Sequence, residues 1–288
     1  MSEILAPSGL DEYFELRQRH PDAQALAGGT DLLVRRRARP CDAAAPLVAL
    51  NGIDALHGLS EDEDGLSIGA LTSFSALISD ARIKARAPLL ACAARTVGGP
   101  AIRNMATIGG NVCTASPAGD SLTPLYLAAA LIEMASPHGR RTLPIADFIQ
   151  GPGRTALRPG ELLTRIVLPP SVSFAHQRFE KVGRRRSLAI SVASFCGELR
   201  FAADGTVAEA RFAWGSVAPT VLRIPALEAD LVGRRLDRLA IRSAASVVRE
   251  RVAPISDIRA SADYRRRVAG NLLTRFLEDG AASGERDG

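Results

Sequence analysis

The sequence predicts an α+β fold arranged as two successive domains with a short tail. Three observations carry this expectation. The first half alternates short strand and helix patterns around two Gly-Gly turns. The stretch 144–170 is dense in turn signals, with Gly151-Pro-Gly153, Arg158-Pro-Gly160 and Pro169-Pro170. Beyond it come three long strand patterns and then only helical ones. The boundaries that follow are a first domain over 1–170, a second over 171–278 and a flexible tail over 279–288, rich in Gly, Asp and Ser.

Leu10, Tyr13 and Phe14 stand at helical spacing, and Ser8-Gly-Leu-Asp11 reads as a variant capping box before them. A strand over 24–27 runs into Gly28-Gly29-Thr30-Asp31, and a helical run over 31–37 follows. Residues 47–50 form a short apolar run, and 60–64 an acidic turn. Residues 65–71 alternate Leu66, Ile68 and Ala70, the period of a half-buried strand. Thr72 or Ser73 caps a helix to about Ser79, a second helix spans 83–97 and stops at Gly98-Gly99-Pro100, and a third spans 120–130. Within the turn-rich stretch, 162–168 is a strand candidate. The second domain opens with strands over 176–185, 190–202 and 207–217, and Asp204-Gly205 is a hairpin signal between the last two. Helices over 225–232, 239–251 and 260–277 close it. The first domain reads as nucleotide-binding and the second as a small sheet with helices.

Composition excludes several classes. The chain has 288 residues, 47% hydrophobic and 23% charged, which is globular rather than disordered. No window offers the run of about 18 apolar residues that a membrane span needs. The start, Met1-Ser-Glu-Ile-Leu-Ala-Pro7, does not read as a signal peptide, so a soluble cytoplasmic protein is the expectation. The net charge of +5 is carried by arginine, Lys84 and Lys181 being its two lysines. The runs Arg35–Arg37, Arg184–Arg186 and Arg265–Arg267 lie beside apolar residues without the interleaved aromatics a single-strand binder uses, so no nucleic-acid partner is expected. Cys41, Cys92, Cys113 and Cys196 form no Cys-x-x-Cys pair, and His20, His57, His138 and His176 are equally scattered, so no metal site is expected.

The two Gly-Gly turns are the motifs that point to chemistry. In Ala27-Gly28-Gly29-Thr30-Asp31 and Thr107-Ile108-Gly109-Gly110-Asn111, adjacent glycines allow positive φ and let backbone N–H groups approach an anion with no Cβ in the way. Two such loops in one domain are able to clamp a pyrophosphate; either one alone reads first as a plain tight turn. Neither is the Gly-x-Gly-x-x-Gly fingerprint or a phosphate loop with its lysine.

In their context these loops resemble the FAD-binding subunit of the molybdenum hydroxylases, the group of the xanthine dehydrogenase and carbon monoxide dehydrogenase flavoproteins. The most specific stretch is Pro100-Ala-Ile-Arg-Asn-Met-Ala-Thr-Ile-Gly-Gly-Asn-Val-Cys-Thr-Ala-Ser-Pro-Ala-Gly-Asp120. Phe179-Glu-Lys-Val-Gly-Arg-Arg-Arg-Ser-Leu-Ala-Ile-Ser-Val-Ala193 carries the resemblance into the second domain. It implies a two-lobed FAD-binding domain of the vanillyl-alcohol-oxidase type, followed by a domain of antiparallel sheet plus helices. It implies that Ala27, Gly28, Gly29, Thr30, Asp31 and Leu32, with Thr107, Ile108, Gly109, Gly110 and Asn111, hold the diphosphate of a non-covalent FAD. By the same resemblance Asp120, Leu162, Lys181 and Ile190 contact the cofactor.

Each residue also has a bland reading. Asp120 can cap the helix after it, Lys181 can be a surface lysine, and Leu162 and Ile190 can be core. Arg103-Asn104 can be structural, Trp214 reads as core, and Cys113 has no partner thiol for redox work. No side chain is expected to act as acid, base or nucleophile. The implied role is electron transfer from two-iron two-sulfur clusters on a small partner, through FAD, to NAD, oxygen or another acceptor. By the same resemblance those electrons come from a substrate oxidised at a molybdenum cofactor on a large partner. No Cys-rich insertion for an extra cluster is present. The rival readings are a stand-alone FAD oxidoreductase and a flavin-free scaffold subunit.

Overall fold

The computed structural model describes residues 3–38, 44–185 and 188–284. Cys41, Arg186 and the last four residues of the expected tail lie outside them. The chain forms two compact units, each discontinuous in sequence. The first is Met1–Arg86, Val97–Ala115 and Ala129–Pro170; the second is Ala87–Thr96, Ser116–Ala128 and Ser171–Gly288.

The first unit holds two main sheets. In one, the strands Ile4–Leu5, Leu47–Ala49 and Gln24–Leu26 lie side by side in that order, all parallel. Parallel neighbours need crossovers, which the helices Leu10–Arg19 and Leu32–Ala38 supply. The cap of the first of these helices differs from the expected box. Gly9 is the N-cap, and Glu12 rather than Asp11 reaches back, accepting from the N–H and hydroxyl of Ser8 at 2.8 and 2.9 Å. Tyr13 and Phe14 bury their rings against Val48, Leu50 and Ile53. In the Arg35–Arg37 run, Arg36 is buried and donates to Gln24 Oε1 and the Ala45 carbonyl, each at 2.7 Å, so it holds the sheet rather than facing a partner.

The other sheet is antiparallel, in the order Leu59–Asp62, Gly65–Gly69, Leu162–Leu168, Leu131–Ser136, Gly139–Pro144. Its middle strand is apolar and buried at most positions, with both edges paired to neighbouring strands. The acidic segment 60–64 is divided: Leu59–Asp62 is an edge strand, with Glu61 opposite Leu66 and Asp62 opposite Gly65, and Glu63-Asp64 make the turn. Charged, exposed side chains suit a sheet edge because they discourage further pairing.

The helix expected over 83–97 is two helices, Ala81–Arg86 and Pro88–Thr96. Proline has no N–H and pushes the preceding residue out of helical φ/ψ, so the break falls at Ala87. The first piece belongs to the first unit and the second piece to the second. The helix expected over 120–130 is confined to Leu122–Leu127.

The second unit is built on an antiparallel sheet of three strands, His176–Val182, Ala193–Phe201 and Val207–Gly215. Asp204 Oδ1 accepts from the N–H and hydroxyl of Thr206 at 2.9 and 2.6 Å, and Gly205 takes φ +78° in the hairpin. Phe195, Phe212, Trp214 and Phe276 form an aromatic core between this sheet and the helix Ala262–Gly284. Trp214 is fully buried and donates from Nε1 to the Ala269 carbonyl at 3.2 Å. That long helix runs through residues 279–284, which composition alone assigned to the tail. Asp279 is ion-paired with Arg178 at 2.6 Å, and Gly280 lies against His176 and Leu199. On the opposite face, Leu122–Leu127 packs against the third strand, and Gly215 sits where a Cβ would fall 2.4 Å from Ser194 Oγ.

Candidate cofactor site

The first loop, Ala27 to Asp31, leaves the strand Gln24–Leu26 and enters the helix Leu32–Ala38. Two different constraints demand its glycines. Gly28 approaches the backbone so closely that a Cβ would lie 1.7 Å from the Met105 carbonyl oxygen. Gly29 has φ +70°, the left-handed conformation that side chains disfavour. Among the described residues, no acceptor faces the N–H groups of Gly28, Gly29, Thr30 and Asp31. Four consecutive backbone donors are thus open, although backbone donors normally find partners when they fold away from water. Asp31 is engaged through its side chain, accepting from Thr114 Oγ1 at 3.1 Å and pairing with Arg35 at 2.7 Å.

The second loop is built differently from the sequence expectation. Thr107 is an N-cap, and Gly109 and Gly110 lie in the first turn of the helix Ile108–Thr114 rather than in a positive-φ turn. Its donors are taken. Ile108 N–H goes to the Thr72 carbonyl at 3.0 Å, Gly109 N–H to Ala70 at 2.9 Å, Gly110 N–H to Thr107 Oγ1 at 3.2 Å and Asn111 N–H to the Thr107 carbonyl at 3.0 Å. The expected clamp of backbone donors from both sides therefore reduces to one side. The second loop contributes shape instead. A Cβ on Gly109 would lie 2.7 Å from Ala70, whereas one on Gly110 meets only Thr107 Oγ1 at 2.9 Å and Ala27 Cβ at 4.0 Å.

The two loops, far apart in sequence, are brought together. Gly28 abuts Met105, Ala27 faces Gly110, and Asp31 is tied to Thr114. Met105, Thr114, Ala70 and Thr72 do not stand out as site residues in the sequence. Three of them act through backbone carbonyls, which no side-chain pattern reveals. Arg103 donates to the Val97 and Gly98 carbonyls, and Asn104 Oδ1 accepts from Ser75 Oγ at 2.5 Å, so both brace the approach to the second loop. Leu162 is buried in the core with Tyr13, Phe14 and Leu71. Burial pushes the Cys113 thiol up to about 12, which keeps it from acting as a thiolate.

In the second unit, Lys181 and Asp120 form a buried pair. Lys181 Nζ donates to Asp120 Oδ2 at 2.5 Å and to the Thr96 carbonyl at 3.0 Å. Asp120 makes no capping bond: the helix after it has Ser121 as N-cap without a side-chain bond. Its other oxygen, Oδ1, is buried without a partner. Burial raises the carboxyl's pKa, and the ammonium of Lys181 opposes that rise. Lys181 is therefore not a surface residue, and Ile190, 55% exposed, is not core. No group of three or more potential metal ligands occurs among the described residues.

Open loop amides beside a glycine-bared space suit a diphosphate, which offers oxygen acceptors and negative charge to backbone N–H groups. Comparison with known proteins gives the family. Residues 1–171 match the family model of the FAD binding domain in molybdopterin dehydrogenase, and residues 178–279 match that of the CO dehydrogenase flavoprotein C-terminal domain. The chain is 33% identical over 269 residues to the xanthine dehydrogenase FAD-binding subunit of Escherichia coli O157:H7, covering 92% of this chain and 90% of that one. It is 32% identical over 278 residues to the carbon monoxide dehydrogenase medium chain of Hydrogenophaga pseudoflava, covering 96% and 95%. Among solved structures, a carbon monoxide dehydrogenase from Hydrogenophaga pseudoflava superposes with a TM-score of 0.90 at 33% identity over 98% of both chains. Quinoline 2-oxidoreductase from Pseudomonas putida 86 gives 0.90 at 27% identity, covering 99% of this chain and 98% of that one.

Proposed function

The chain belongs to the family of FAD-binding subunits of the molybdopterin dehydrogenases, and on that footing we propose that it takes electrons from iron–sulfur clusters on a small partner and passes them through FAD to NAD, oxygen or another acceptor. It is the flavoprotein subunit of an oxidoreductase. Those electrons originate from a substrate oxidised on a large partner that carries the molybdenum cofactor. The assembly works in the cytoplasm, with neither nucleic acid nor membrane as a partner. Among the described residues no helix is long and apolar enough to cross a membrane.

The observation that carries this reading is the row of open amides from Gly28 to Asp31. They donate to the diphosphate oxygens, and Thr30 adds a hydroxyl. The second loop keeps its own donors occupied, and its bare Gly110 leaves room for the ligand beside Ala27. When bound, the flavin supplies the redox chemistry, and the chain holds and orients it. We also assign Asp120, Leu162, Lys181 and Ile190 to the cofactor, on the strength of the resemblance. The unpaired Asp120 Oδ1 and the exposed Ile190 support a polar and an apolar contact, whereas the burial of Leu162 supports a packing role. Neither loop contains a His or Tyr, which counts against a stand-alone oxidase acting on its own substrate.

The protein purified in its native complex is expected to carry one FAD per chain, released entirely into the supernatant by acid precipitation. Flavin retained on the precipitate would contradict non-covalent binding, and a complex free of flavin would overturn the function.

A further inference from the structure

In the second unit, the segment 189–192 presents Ile190, a large exposed apolar side chain, beside the buried Ser191 and Val192. Among the described residues, two hydrogen bonds tie this segment to the rest of the chain. The Val192 N–H donates to the Val182 carbonyl at 2.8 Å, and the Val192 carbonyl accepts from Arg265 Nη1 at 2.6 Å. The Ser191 hydroxyl adds no third tie, since it is buried without a partner. The conformation that presents Ile190 therefore depends on two bonds, and one of them belongs to Arg265.

Arg265 lies near the start of the helix Ala262–Gly284, and its side chain is only 4% exposed. The same guanidinium donates to the Ser216 carbonyl at 3.1 Å and pairs with Asp257 at 2.7 Å. Ser216 is held at φ +64°, a left-handed conformation that strains a residue with a Cβ. Asp257 accepts in turn from the N–H groups of Arg259 and Ala260, at 2.9 and 3.2 Å. One planar fork thus fixes the coil before the strand Ala193–Phe201, the turn after the strand Val207–Gly215 and the loop before its own helix. A buried ion pair adds little net stability over an apolar replacement. What the fork supplies is fixed geometry.

Resting on the function proposed above, which sets Ile190 on the cofactor, we propose that Arg265 is a positioning residue: through the Val192 carbonyl it holds Ile190 in the conformation that packs on the flavin ring.

The test titrates the native complex, freed of its flavin, with riboflavin and with ADP, which shares the diphosphate of FAD but lacks the ring. Arg265→Gln should weaken riboflavin binding about tenfold and leave ADP binding within about twofold. Arg265→Lys, which keeps the charge but not the fork, should fall between Arg265→Gln and wild type. If Arg265→Gln fails to fold, Arg265→Lys decides by the same comparison. Ile190→Ala should weaken riboflavin binding. Adding Arg265→Gln to it should cost no more than about twofold further, because a residue that acts through Ile190 then has nothing left to hold. Unchanged riboflavin affinity in the Arg265 variants would overturn the proposal. So would equal losses for riboflavin and ADP, or effects of Arg265→Gln and Ile190→Ala that multiply. Each of these leaves the function proposed above standing. A wild-type complex that binds neither riboflavin nor FAD would overturn that function, and this proposal with it.

Discussion

Lys181 is one of two lysines in a chain whose other permanent side-chain cations are arginines, a choice that suits a compact point charge. The structure shows where that charge goes: into a buried pair with Asp120 and onto the Thr96 carbonyl. Removing one partner of a buried pair leaves the other charge uncompensated, typically at about 3–5 kcal/mol. Lys181→Met is expected to destabilise on that scale near neutral pH. The pH dependence has a definite sign. Burial already raises the Asp120 carboxyl, and losing the ammonium raises it further. A carboxyl whose folded pKa lies above its unfolded one binds more protons in the folded state. Stability then falls as pH climbs from the unfolded value toward the folded one. The penalty of Lys181→Met, read from urea unfolding, should therefore be smaller at about pH 4 than at about pH 8. Adding Asp120→Asn should recover part of it. A pH-independent penalty would mean that the pair is not coupled.

At the scale of elements, the two glycines of the second loop separate packing from binding. Gly109→Ala forces a Cβ against Ala70, at 2.7 Å from both its Cβ and its carbonyl oxygen, and should lower the melting temperature. Gly110→Ala disturbs only the Thr107 cap, worth about 1 kcal/mol, and should fold but retain less FAD. Equal flavin retention in folded Gly110→Ala and wild type would show that Gly110 does not border the ligand. The central strand of the second unit offers an independent check. Glu198 lies between Gln177 and Arg211, and burial raises its pKa to about 7. By the same sign argument its ionisation costs stability as pH rises through that range. Glu198→Gln should raise the melting temperature above pH 7 and leave it nearly unchanged below about pH 4. The strands and the hairpin at Asp204-Gly205 were legible because alternation and turn chemistry are local. The break at Pro88 was locally signalled too, but a continuous apolar period masked it. The role of the second loop was not legible, because whether an N–H is open depends on carbonyls at Ala70 and Thr72.

At the scale of the whole molecule, the sequence resemblance locates the loops and points to the family, and the fold decides which backbone donors remain available. Linear order concealed the rest. Residues 87–96 and 116–128 belong with the C-terminal half, so no single cut divides the units. A composition-based tail is helix as far as Gly284, because Asp279 and Gly280 have partners in the sheet. The contact of Gly28 with Met105 joins segments whose proximity no local pattern encodes. On the function proposed above, the open amides of Gly28 to Asp31 hold a diphosphate. Each hydrogen bond to a charged group contributes about 1.5–3 kcal/mol, and each 1.4 kcal/mol is tenfold in affinity. The most direct measurement is calorimetric titration of the flavin-free protein with FAD and with riboflavin, which shares the ring but lacks the diphosphate. FAD should bind one to one, at least a hundredfold more tightly than riboflavin; equal affinity for the two would contradict the account.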